Sequence, residues 1–159
     1  MSRPAMRPSL TPADVLRQLD ALGIVPAGVA DDSRQVVPGD LFVAYRGALA
    51  DGRRYIGDAI ARGAVAVLWE AGDDFVWNPA WRVANFSACG LRPLCGPLAH
   101  AVFGQPSERL SLIAVTGTNG KTTISQWLGR AHPRRCAIIG TLGAGLIDAL
   151  KETGFTTPE

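Results

Sequence analysis

Leu112-Ile-Ala-Val-Thr-Gly-Thr-Asn-Gly-Lys-Thr-Thr123 is the stretch on which the reading of the whole chain turns. Leu112 to Val115 is an apolar run of the kind that forms a buried parallel strand. A glycine-bearing turn, Gly117 to Gly120, follows, and Lys121, Thr122 and Thr123 open the helical pattern Ile124-Ser-Gln-Trp-Leu-Gly129. Strand, glycine turn, Gly-Lys-Thr and helix, in that order, are the parts of a phosphate-binding loop. Gly117 and Gly120 leave no Cβ between backbone N–H groups and phosphate oxygens. Lys121 can place its charge at the β- and γ-phosphates, and the Thr122 hydroxyl can ligate Mg²⁺. Val115 stands where the commoner G-x-x-x-x-G-K-[ST] pattern has its first glycine, so the loop is a shorter variant. The bland alternative, a chance Gly-Lys-Thr at a helix start, does not account for the strand ahead of it.

At 159 residues, 47% of them hydrophobic and 19% charged, the chain has the make-up of a soluble globular protein. The net charge is +2 and the arginines are scattered, which gives no nucleic-acid patch. Arg53-Arg54 and Arg134-Arg135 read as solvated pairs. Cys89, Cys95 and Cys136 have no C-x-x-C spacing, and with only two histidines they argue against a zinc site or a disulfide framework. A reducing cytoplasm is the expected location. Met1–Pro12 lacks the apolar core of a signal peptide, and no apolar run is long enough to insert into a membrane.

From the N-terminus, Thr11-Pro12-Ala-Asp14 is a helix start with a cap, a first-position proline and a favourable acid. Val15, Leu16, Leu19 and Leu22 give its apolar face, and Gly23 ends it. Ile24–Ala30 reads as a loop or short strand, Leu41–Tyr45 as a strand, Tyr55–Arg62 as a short helix with Ile56, Ala59 and Ile60 inward, and Ala64–Trp69 as a second buried strand. Strand, helix, strand is a βαβ unit. Trp81–Ala84 reads as a weak strand. Leu91–Phe103 reads as a helix starting near Pro93 and kinked near Pro97. Thr122–Ala131 should be the loop's helix and Cys136–Ile139 a further strand, before a glycine-rich Gly140–Gly145.

The expected organisation is α/β throughout: a small N-terminal domain over residues 1–88, a connecting helix and linker over 89–107, and a phosphate-loop domain over 108–159. After Gly120 the chain supplies one helix and one clear strand, too little to cover both faces of a parallel sheet. The second domain is therefore read as incomplete, and its uncovered sheet predicts self-association.

Three stretches together carry a resemblance. Asp32-Ser-Arg-Gln-Val-Val-Pro-Gly-Asp-Leu-Phe-Val-Ala44, Asp51-Gly-Arg-Arg-Tyr55 with the segment after it, and Val115-Thr-Gly-Thr-Asn-Gly-Lys-Thr-Thr123, followed by Ile139-Gly-Thr141 and Thr156-Thr-Pro-Glu159, resemble the Mur ligase family. The likeness covers about residues 31–159. It implies a three-domain, ATP- and Mg²⁺-dependent enzyme of peptidoglycan synthesis, of which this chain is the N-terminal part. Asp51-Gly-Arg-Arg-Tyr55 points to the member that adds the third amino acid, meso-diaminopimelate or L-lysine, to UDP-MurNAc-L-Ala-D-Glu through an acyl phosphate. The resemblance assigns ATP to Gly117, Thr118, Asn119, Gly120, Lys121, Thr122 and Thr123, with Lys121 stabilising the transferring phosphoryl group and Thr122 on the metal. It assigns the UDP-sugar to Ser33, Ala48, Leu49, Ala50, Thr156 and Thr157.

The family often carries His-Gln where this chain has Ala48-Leu49, so contacts from Ala48 to Ala50 would be made by backbone; Phe155 stands where Asn is usual. On residues alone, Asp32 and Ser33 also read as a turn cap, and His100 and His132 as ordinary surface or core histidines. The remaining metal-binding acid and the amino-acid site would lie beyond Glu159, so the isolated chain is expected to be inactive as a ligase. Two other readings stand beside this one: a non-catalytic UDP-sugar-binding or remnant module, and an unrelated phosphate-loop ATPase or kinase.

Overall fold

The computed structural model describes residues 10–48, 50–72 and 74–152. They form two compact units, Met1–Leu110 and Ser111–Glu159. No helix among the described residues is long and apolar enough to cross a membrane.

The first unit is built on four parallel strands in the order β1 (Gly28–Ala30), β2 (Asp40–Ala44), β3 (Ala66–Glu70) and β4 (Ala84–Ala88). A parallel sheet must be covered on both faces, and the strand sequences show how. Side chains alternate across a strand, so Leu41, Val43, Ala66 and Leu68 enter one core. Phe42, Ala44 and Val67 enter the other.

The first core is closed by α1 (Pro12–Asp20) through Val15 and Leu19 and by α3 (Leu91–Val102) through Leu91 and Leu98. α1 begins as expected: Asp14 N–H donates to Thr11 Oγ1 at 3.2 Å, and Thr11 N–H donates back to Asp14 Oδ2 at 3.1 Å. It ends at Asp20, which leaves Leu22 outside the helix and exposed rather than on the buried face. α3 starts two residues before Pro93, because the first-turn N–H groups of a helix have no internal partner and a proline there removes nothing. Sequence reading put this helix in a connector over 89–107; instead its fully buried Leu91 and Leu98 make it part of the first unit's core.

The second core is closed by α2 (Ile56–Ala61), through Ile56 and Ala59, and by the β3–β4 connection. Among its described residues that connection has no helix. Aromatic rings cover the sheet instead: Trp69 lies 5.2 Å from Phe75 and 6.2 Å from Trp77, and Trp77 lies 5.1 Å from Trp81. Trp81 is thus a covering residue, with its N–H on Asn78 O at 3.0 Å, and the strand expected at Trp81–Ala84 begins only at Ala84.

The second unit holds α4 (Lys121–Ala131) and an antiparallel sheet of β5 (Ala137–Gly140), β6 (Gly143–Leu146) and β7 (Ala149–Lys151). α4 approaches β5 closely at Gly129, where a Cβ would stand 3.1 Å from Ile138 Cδ1 and 2.8 Å from Ile147 Cδ1. One expectation is corrected here. Leu112–Val115 is not a buried parallel strand: it lies outside any sheet, with Leu112 75% and Ile113 68% exposed. A strand exists only with a partner for its N–H and C=O groups, and Leu112–Val115 pairs with neither edge strand, β5 or β7, of this unit's sheet. The glycine-rich segment Gly140–Gly145 contains the end of β5, the turn into β6 and three of the four residues of β6.

Candidate functional site

In an open parallel sheet, ligands bind in the crevice beyond the carboxyl ends of the strands. In the first unit the sequence places a polar residue at the exits of β1, β2 and β3. Asp31 follows β1, and its Oδ2 accepts from the Tyr45 hydroxyl, beyond β2, at 2.9 Å. Burial and this bond push the Tyr45 phenol up to about 12. Glu70, the last residue of β3, accepts the N–H groups of Gly90 at 2.7 Å and Leu91 at 3.2 Å, ahead of α3.

Ser33 opens a short 3-10 turn after β1 and is 7% exposed. Asp32 caps that turn, receiving Arg34 N–H at 3.0 Å, and Arg34 folds back to make a forked pair with the same carboxylate at 3.0 and 2.8 Å. The Arg34 hydrogen bonds hold the Asp32 carboxyl down at about 2. Asp32 is therefore a turn cap, as the bland reading had it. Ser33 lines an open cleft of about 330 Å³ with Arg34, Asp58, Ala61 and Arg62. Asp58 and Arg62 were not among the sequence candidates. Their signal was present: with Ile56, Ala59 and Ile60 turned inward, positions 58 and 62 share the outward face one turn apart.

Ala48 and Ala50 sit on an exposed turn whose ends are tied by an Arg46–Asp51 bridge and by Gly47 N–H to Ala50 O at 2.9 Å. Leu49, Thr156 and Thr157 lie outside the described residues. Directly after the turn, Arg53 corrects the expectation of a solvated arginine pair: Arg54 is exposed, but Arg53 is 2% exposed. Its guanidinium makes a fork on Asp51, 2.9 Å from Nε and 2.8 Å from Nη2, and a second on Asp74, 3.1 Å from Nη1 and 3.0 Å from Nη2. It also lies over the Phe75 ring at 5.2 Å.

In the second unit, Gly117 and Gly120 adopt φ of 143° and 78°, backbone that a side chain resists, and Gly120 stands immediately before Lys121 as the N-terminal cap of α4. No side chain caps this helix, so the N–H groups of its first turn, including those of Thr122 and Thr123, have no side-chain cap to accept them. Thr118 and Asn119 form the exposed bend between the glycines, and Lys121 Nζ folds back onto Gly117 O at 2.5 Å. This is a cradle suited to an anion. Both histidines have ordinary partners: His100 Nε2 is 2.6 Å from Ser107 Oγ, and His132 Nδ1 accepts Arg134 N–H at 3.2 Å. Among the described residues no cluster of three His, Cys, Asp or Glu side chains could hold a metal ion, and the three cysteines are free.

Residues 27–118 match the family described as "Mur ligase family, catalytic domain". The UDP-N-acetylmuramoyl-L-alanyl-D-glutamate–2,6-diaminopimelate ligase of Chromobacterium violaceum is 45% identical over 144 residues, which are 89% of this chain and 29% of that protein. The protein of the same name from Neisseria meningitidis serogroup A is 48% identical over 130 residues, 80% of this chain and 26% of that one. A solved structure of a ligase of this name superposes with a TM-score of 0.59 at 30% identity, covering 84% of this chain and 27% of that one. The chain thus spans less than a third of the length of these relatives. The family match covers more than half of the chain and includes both the Asp-Ser-Arg turn and the start of the phosphate loop, so the chain belongs to the Mur ligase family.

Proposed function

We propose that this chain supplies the uridine-nucleotide-sugar domain and the phosphate loop of an ATP-dependent ligase that joins diaminopimelate to UDP-MurNAc-L-Ala-D-Glu in peptidoglycan synthesis. The observation that carries the reading is the identity of 45% over 144 residues to a ligase of that name, which runs through both units. The geometry supports it. Ser33 stands at the strand exits beside an open cleft, and the turn at Gly47–Ala50 offers backbone groups at the same edge of the sheet.

ATP and Mg²⁺ fit the second unit as far as its residues go. The uncapped start of α4 and the two positive-φ glycines suit the phosphates, and Thr122, in the first turn, suits the metal. When bound, the nucleotide would supply a phosphoryl group to activate the substrate carboxylate. The chain's own part is to hold and neutralise: Lys121 would leave Gly117 O for the phosphate oxygens, and the backbone N–H groups would fix their orientation. The domain assignment follows: residues up to about Leu110 bind the UDP-sugar, and the rest opens the ATP domain.

Isothermal titration of UDP and of UDP-MurNAc-L-Ala-D-Glu into the chain tests the reading. Saturable binding that weakens on Ser33→Ala is expected. No heat of binding at millimolar ligand would overturn the nucleotide-sugar assignment.

A further inference from the structure

The carboxyl ends of the four strands are joined to one another by side chains. Tyr45 bonds Asp31, linking the exits of β2 and β1. Glu70 bonds Gly90 and Leu91, linking the exits of β3 and β4. The exits of β2 and β3 are linked through Arg53, which reaches Asp51 on one side and Asp74 and the Glu70 carbonyl, the last at 3.4 Å, on the other. Arg46 adds a bond to Asp74 at 3.2 Å.

Arg53 is the unusual member. A charge withdrawn from water is costly unless its donors are met, and apolar side chains would hold the same space at no such cost. Here every direction of the guanidinium fork is met, by two carboxylates and a carbonyl. What the fork holds in place is the foot of the Arg46–Asp51 turn, because Asp51 is both its closing residue and the principal partner of Arg53. At the turn itself, Ala48 and Ala50 carry no polar side chain. Any polar contact from Ala48 or Ala50 to a ligand is therefore made by backbone N–H and C=O groups, whose aim is set by the anchor beneath them.

We infer that Arg53 is a positioning residue for ligand recognition: by fixing Asp51 it holds the foot of the turn so that the backbone groups of Ala48 and Ala50 are aimed at a bound uridine nucleotide. This rests on the uridine-nucleotide reading above. Ordering the turn beforehand removes a cost that binding would otherwise meet.

The test titrates UDP into the full chain and into Arg53→Lys, Asp74→Asn and Leu98→Ala. Arg53→Lys keeps the charge and loses the fork. Its expected effect is a loss of affinity of about tenfold, and that of Asp74→Asn about threefold, each with faster amide exchange at Gly47 and Asp51. Leu98→Ala, destabilised in the opposite core, should bind UDP as the parent does, which separates positioning from general loss of stability. Parent-like affinity and exchange in Asp74→Asn, or in a folded Arg53→Lys, would overturn the inference. If Arg53→Lys does not fold, Asp74→Asn alone decides. Failure of the parent chain to bind UDP would sink the nucleotide reading instead, and amide exchange at Gly47 and Asp51 would then decide whether Arg53 orders the turn at all.

Discussion

Glu70 and Gly90, twenty residues apart in the chain, meet at 2.7 Å where β3 ends and α3 begins. The Glu70 carboxylate also takes the N–H of Leu91, so one acid from the sheet does the work of an N-terminal cap that Gly90 has no side chain to do. It places negative charge at the positive end of the helix that closes the first core.

Glu70→Ala is therefore expected to lower stability by about 1 kcal/mol, the usual worth of a helix cap. Urea unfolding followed by tryptophan fluorescence measures it as a lower midpoint at unchanged slope. A parent-like midpoint would mean that water replaces the carboxylate at no cost. The Glu70 carbonyl that Arg53 uses is not removed by this change, so UDP binding should be retained.

Acid sensitivity should come from the strand-exit carboxylates. Arg34 hydrogen bonding depresses Asp32 from 3.8 to about 2, and Arg53 hydrogen bonding depresses both Asp51 and Asp74. A depressed carboxyl contributes stability that is present above its unfolded value and lost as pH falls through its folded value. For Asp32 the loss runs from about pH 4 down to about pH 2. Asp32→Asn is expected to be less stable than the parent at pH 6 and to converge with it near pH 2, as read by denaturant midpoints across that range. Parallel curves for the two proteins would show that the Asp32–Arg34 pair is too well solvated to matter.

What could be read from the sequence follows a physical divide. β2 and β3 were legible because each is a short apolar run whose alternate residues enter opposite cores, and burial on both faces leaves that mark locally. The start of α1 was legible because its cap, Thr11 with Asp14, lies within four residues. Arg53 was not, since its burial depends on Asp74, 21 residues on and in an irregular loop that no spacing rule marks. The α3 cap escaped for the same reason. Leu112–Val115 shows the converse: an apolar run is a demand for a partner, and whether it becomes a strand is decided by what is there to pair with it. The positive φ of Gly117 and Gly120 is legible because a glycine's conformational freedom is a local property.

Gly63, between α2 and β3, has φ of 101°, and a Cβ there would stand 2.9 Å from Pro38 Cα. Its N–H bonds Ile60 O at 2.9 Å and its carbonyl receives Gly39 N–H at 3.0 Å, so the backbone cannot swing away without breaking both. Gly63→Ala combines an unfavourable φ with a backbone clash and is expected to cost at least about 1–3 kcal/mol. The measurement is the thermal midpoint, which should fall by several degrees; an unchanged midpoint would mean that the α2–β3 connection can rearrange freely.

The second unit leaves large apolar side chains in water: Trp127 and Ile139 are each 69% exposed, and Leu142 and Ile124 are also exposed. Exposed apolar surface drives association, with the free energy scaling roughly as the area removed from water, about 25 cal/mol per Å². The chain is accordingly expected to self-associate, its light-scattering mass rising with concentration and rising further in sulfate, which strengthens apolar burial. Trp127→Glu combined with Ile139→Glu should lower that mass toward the monomer while leaving UDP binding in the first unit intact. A constant monomer mass for the parent across the concentration series would contradict the prediction. Association unaffected by the double substitution would place the contact on another surface and remove the second unit's apolar face as its cause.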